Sequence, residues 1–94
     1  MKTGLEQISE ERVKQISKHG YNAYHDSYYK NKELLYAALA YLKTAIGAEE
    51  TLEESWPMED WPFGIEYFHD DGYVENLKKA GAFIAAELDR LNVS

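Results

Sequence analysis

The last third of the chain carries the pattern that leaves it the least freedom. Val74, Leu77, Gly81, Ile84, Leu88 and Leu91 recur at intervals of three and four residues. That spacing gathers apolar side chains on one face of an α-helix and would scatter them over both faces of a strand. It predicts a helix over about 72–91, capped by Asp71 or Gly72, with a frayed tail at 92–94. Ala80, Gly81, Ala82, Ala85 and Ala86 add a run of small side chains that lets a neighbouring helix approach closely. Glycine inside a helix costs about 0.5–1 kcal/mol relative to alanine, so Gly81 is expected to mark such a crossing.

Two further helices follow from end signals and periodicity. Thr3 and Glu6 have the capping-box spacing, which predicts a helix over 4–18 closed by His19-Gly20. Leu5, Ile8, Val13 and Ile16 are expected on its inner face, and Glu6, Glu10, Glu11, Lys14 and Lys18 in solvent. Asn31 is a good cap and Glu33 suits the positive end of a helix dipole, so a second helix is expected over 32–46, ended by Gly47. Leu35, Ala38, Leu39, Leu42, Ala45 and Ile46 form one stripe of it. Leu34, Ala37 and Tyr41 make the opposite side apolar as well, and that second side is the expected surface of self-association.

The segments between the helices are aromatic and have no clear period. Residues 21–31 hold four of the eight tyrosines and are expected to form an ordered loop. In residues 48–71, Trp56-Pro57 and Trp61-Pro62 bias each tryptophan away from helix, which predicts turns that lay both indoles on the body of the protein. A loop of this length without regular structure is uncommon and often functional. Fold class is therefore all-α: one domain over 1–94, three main helices, and an aromatic loop at 48–71 packed across them. A domain this small buries only roughly 60–65% of its unfolded surface, and without cysteine there is no disulfide to reinforce it. Completion by oligomerisation, most simply as a homodimer, is the natural remedy.

Charge narrows the partners. Seventeen acidic against ten basic side chains give a net charge of −7, which leaves no broad basic surface for a nucleic-acid backbone. Nine of the acidic residues (Glu49, Glu50, Glu53, Glu54, Glu59, Asp60, Glu66, Asp70 and Asp71) lie between the second and third helices, where there is no Lys or Arg. The longest nearly apolar stretch, Leu34–Leu42, is far short of the ~20 residues that span a bilayer, so no membrane partner is expected.

Chemistry-bearing motifs are sparse. His25-Asp26 and His69-Asp70 suit a divalent first-row ion in residue type. They equally suit helix starts, where aspartate caps backbone donors, and no metal or cofactor is expected from them. No serine sits in a nucleophile elbow, and no glycine-rich phosphate loop is present. What remains is an aromatic and cationic set, Arg12, Tyr24, His25, Asp26, Tyr28, Trp56 and Trp61, as candidate ligand-binding residues. Aromatic faces stack on bases, a few cations hold a phosphate, and Trp and Tyr are equally common anchors for protein partners.

Glu11-Arg12-Val-Lys-Gln15-Ile16, His25-Asp26, Glu33-Leu34 with Ala37-Ala38 and Tyr41, Trp56-Pro57, and Lys79-Ala80-Gly81-Ala82-x-Ile84-x-Ala86-Glu87-x-x-Arg90-Leu91 together resemble a family of small, largely uncharacterised proteins encoded by phages and prophages. The likeness covers about residues 10–91, with Met58 standing where that family commonly has a second tryptophan. It implies a mobile-element origin and action in the host bacterial cytoplasm, and a counter-defence role would fit. The same frame is more distantly similar to MazG-like all-α nucleotide pyrophosphohydrolases, which hold magnesium on two carboxylate-rich helices. That likeness retains only Glu33 of the first carboxylate pattern and Glu75 of the second, with Asp26 and Asp70 as further oxygen donors. The expectation is a non-enzymatic accessory protein that binds a small nucleotide-like ligand or a host protein. The alternative is a degenerate, magnesium-dependent pyrophosphohydrolase using Glu33 and Glu75 as catalytic carboxylates.

Overall fold

The structure, a computed structural model, describes residues 1–19, 32–47 and 61–93. It is all-α, with α1 over Gly4–His19, α2 over Glu33–Gly47, a single 3-10 turn at Ile65–Tyr67, and α3 over Tyr73–Val93. Among the described residues there is no strand. The central element is α3, packed by α2 and less extensively by α1. Asn31, Gly20 and residues 48–60 of the expected aromatic loop lie outside the described residues.

Local chemistry sets the helix ends. At α1 the capping box forms: Thr3 Oγ1 accepts from the Glu6 amide at 3.1 Å, and Glu6 Oε1 accepts from the Thr3 amide at 3.2 Å. The second helix begins one residue later than its pattern suggests. Lys32 has φ 66°, a left-handed conformation that keeps it outside the helix, while its carbonyl accepts from the Leu35 and Tyr36 amides. Gly72, with φ 97°, turns the chain into α3. Asn76, 1% exposed, holds that turn by accepting from the Asp71 amide at 3.3 Å and donating to Asp70 Oδ1 at 2.9 Å. Helical conformation continues to Val93, two residues past the expected end.

The core is small-residue and aromatic. Leu34, Ala37, Ala38 and Tyr41 of α2 meet Ala80, Phe83 and Ala86 of α3. Tyr41 stacks on Phe68 with ring centroids 4.8 Å apart and on Phe83 at 6.0 Å, and Trp61 meets it edge-on at 5.5 Å. The described part of the aromatic segment, Trp61, Phe63 and Phe68, thus closes one end of the α2–α3 pair. These helices run antiparallel. Tyr41, midway along α2, accepts at its hydroxyl from the His69 amide and packs beside Lys79 and Phe83 in the first half of α3, while Glu33, at the start of α2, lies in the field of Arg90 near the end of α3.

Two faces differ from expectation. On α2 the side expected to self-associate, Leu34, Ala37 and Tyr41, is the core; of the other stripe Ala38 and Ala45 are buried and Leu42 partly so, whereas Leu35, Leu39 and Ile46 are exposed. Alanine on both helices permits a close approach, and Tyr41 completes an aromatic stack there that leucine cannot supply. On α1, Glu11, Arg12 and Gln15 are buried, while Leu5 (79% exposed), Val13 and Ile16 face outward. Only Ile8 meets α3 as expected. A Cβ placed on Gly81 would lie 2.7 Å from Ile8 Cδ1, so the helices cross where the glycine removes a side chain.

Candidate functional site

The inverted packing of α1 produces the site. Residues 11, 12 and 15 lie within about 100° of arc on one helix, so a Glu-Arg-x-x-Gln spacing directs all three side chains to the same neighbour. That neighbour is α3. Arg12 Nε donates to Asp89 Oδ2 at 3.0 Å and its Nη1 to Gln15 Oε1 at 3.2 Å, with Gln15 only 4% exposed. Buried charge is costly unless it is paired and hydrogen-bonded, and here the guanidinium fork meets both a carboxylate and an amide oxygen.

Beside this cluster, α1 and the first turns of α3 frame an open cleft of about 490 Å³. Lys2, Glu10, Glu11 and Lys14 line one wall, and Glu75 and Lys78 the other. Each ammonium has a carboxylate within reach: Lys2 Nζ lies 2.6 Å from Glu10 Oε2, Lys78 Nζ 3.1 Å from Glu75 Oε1, and Lys14 Nζ 3.9 Å from Glu11 Oε1. The Gln7 amide is also on the lining and donates to the Lys2 carbonyl at 3.2 Å. Three lysines and three glutamates share this concavity, so its charge is balanced, and a multivalent anion entering it would compete with three carboxylates for the lysines.

Of the candidate ligand-binding residues, Arg12 and Trp61 lie among the described residues, and they have different partners. Arg12 is buried in its pair with Asp89, toward the far end of α3 from the cleft. Trp61 is in the aromatic core, its indole Nε1 donating to the Gly64 carbonyl at 2.9 Å. Tyr24, His25, Asp26, Tyr28 and Trp56 lie outside the described residues. Asp70 is occupied as a cap, accepting from the Gly72 amide and the Asn76 side chain.

The carboxylates of the alternative reading do not meet. Glu75 lines the cleft at the start of α3, whereas Glu33 is in the field of Arg90, fifteen residues further along that helix, about 22 Å at 1.5 Å per residue. Arg90 itself is held charged beyond its ordinary range, chiefly by its hydrogen bond to Glu87. Among the described residues no three His, Asp or Glu side chains gather closely enough to hold one metal ion.

Sequence periodicity missed Glu11, Gln15 and Asn76, because charged and amide side chains count as solvated in an amphipathic pattern. The available signal was their spacing: 11, 12 and 15 share one face. Fold and site together define an all-α protein with, among the described residues, three α-helices and a mixed-charge cleft between the first and third of them. No known protein family, curated protein or solved structure matches the chain.

Proposed function

We propose that this chain is a non-catalytic phage or prophage accessory protein that acts as a homo-oligomer in the host cytoplasm and binds a small nucleotide-like ligand in the α1–α3 cleft. The observation that carries the reading is the convergence of Lys2, Lys14 and Lys78 on a concavity of about 490 Å³, a volume suited to a drug-sized or mononucleotide ligand. Phosphate oxygens would replace the glutamate partners of these lysines, and the Gln7 amide offers the donor and acceptor pair that a base edge requires. Arg12 acts at a distance from the cleft as a positioning residue by fixing α1 against Asp89.

Binding without turnover is favoured over hydrolysis because Glu33, on α2, lies near the end of α3 opposite to Glu75. The test is calorimetric titration with nucleoside triphosphates and cyclic dinucleotides, with pyrophosphate release followed in parallel. Saturable binding without release, weakened at least tenfold by Lys14→Glu or Lys78→Glu, is expected. Magnesium-dependent release abolished by Glu33→Gln would replace this reading with the hydrolase. Binding indifferent to both lysine changes would remove the cleft from it.

A further inference from the structure

Among the described residues, most of the large aliphatic side chains are on the outside, Leu34 being the buried exception. On α2, Leu35, Leu39 and Ile46 are exposed, and Leu42 is only partly buried. On α3, Leu77, Ile84, Leu88 and Leu91 are exposed, Leu88 by 60%. At 100° per residue, the α2 set spans about 60° of arc and lies roughly 100° from the buried face of that helix. The α3 set spans a similar arc between the surfaces that receive α2 and α1. Because α2 and α3 run antiparallel, the rotation that carries each stripe away from the shared core turns both to the same side of the pair. The result is one two-helix face without a charged residue at any stripe position, while α1 and its cleft lie on the other side.

We infer that this face is the homodimer interface, occupied by the α2–α3 face of a second copy to make a four-helix arrangement. The inference deepens the self-association in the reading above and rests on that part of it, but not on the ligand. Three observations select a second copy. Spacings of four, three and four residues on α2 (35, 39, 42, 46) and of seven, four and three on α3 (77, 84, 88, 91) are the knobs-into-holes repeats with which helices of like pattern interlock. Area is sufficient: with about half of each of seven ~180 Å² side chains still in water, the face removes roughly 600 Å² per protomer, about 1,200 Å² in all, the lower bound of a standard specific interface. Charge also selects, since two chains of −7 repel wherever their acidic residues meet and this uncharged face lets them pack without opposing carboxylates.

The absence of cysteine makes the test clean. Leu88→Cys places the only thiol of the chain on the α3 stripe of the proposed face. Under mild oxidation it is expected to give a covalent dimer, whereas Ser9→Cys on α1 is expected to give none. Sedimentation of the unaltered chain should show a dimer at micromolar concentration, and Ile84→Glu, with helicity checked by circular dichroism, should weaken it at least 100-fold. A dimer that crosslinks through Ser9→Cys and tolerates Ile84→Glu overturns this interface while leaving self-association standing. A strict monomer overturns both. A monomer whose substituted position 88 resists thiol labelling overturns the proposal by showing that the chain's own segments cover the face.

Discussion

At residue scale, the crossing of α1 and α3 depends on the missing side chain of Gly81. Alanine there gains about 1 kcal/mol of helix propensity but drives its methyl into Ile8, whose Cδ1 and Cγ1 would lie 2.7 and 2.8 Å away. Overpacking of that kind costs about 1–3 kcal/mol, so Gly81→Ala is expected to lower stability by roughly 1 kcal/mol. In an Ile8→Ala background the clash is gone and the same change should stabilise by up to about 1 kcal/mol. A double-mutant cycle by urea unfolding reads the reversal of sign. Asp71 offers a second test. Its carboxyl is held below the ordinary range, first by a hydrogen bond from Lys79 and then by the charge of that ammonium, which also donates to the His69 carbonyl at 2.8 Å. A lowered native pKa means the contribution is present above the unfolded carboxylate value and is lost as pH falls through the native one. Asp71 is largely solvent-exposed, so the stability involved is small. Titration followed by NMR should show the Asp71 pKa rising toward 3.8 in Lys79→Met, with the acid-dependent fraying of the start of α3 seen in the parent flattened, because the pair is then absent at every pH.

At the scale of elements, α1 is attached by polar contacts as much as by packing. Arg12→Met keeps most of the volume but loses the hydrogen bonds to Asp89 and Gln15. Asp89 is half-exposed and its carboxylate recovers water, whereas the buried Gln15 oxygen loses its donor, so the cost is expected to be about 2–3 kcal/mol, set by a stranded amide rather than a stranded charge. Hydrogen exchange should localise the loss to α1 while amides of α2 remain protected. The three helices and the starts of α1 and α3 were legible in the sequence because Thr3, Glu6, Gly72 and the aliphatic periods act locally. Which face each helix buries was not. Periodicity finds an apolar stripe but cannot say what it packs against, and on α2 the choice went to alanines and Tyr41 because Phe83, Phe68 and Trp61 converge there from distant positions. Arg12 was legible as a residue of interest, though not as the buried partner of Asp89, seventy-seven positions away. The cleft needs Lys2 and Lys78 to meet across two helices, which no local pattern encodes.

For the whole molecule, shape and burial point the same way. The chain extends 39 × 35 × 20 Å, about two helix diameters in its thin direction, so α3 is covered by α2 and α1 yet keeps an aliphatic side in water. Apolar burial is the main favourable term in folding, and here the residues with most to contribute, Leu35, Leu39, Ile84 and Leu88, contribute least within a single chain. If folding is completed by a second copy, stability depends on chain concentration. Tenfold dilution removes about 1.4 kcal/mol per dimer, and for two chains of this length each kcal/mol moves the melting temperature by roughly 2–4 °C. The unaltered chain is therefore expected to melt about 3–6 °C lower for each tenfold dilution, measured by calorimetry at high and fluorescence at low concentration. Ile84→Glu should melt at one lower temperature throughout, because its unfolding involves no partner. A melting temperature of the unaltered chain that stays constant over a hundredfold range would show that a single copy folds to completion with its leucines exposed.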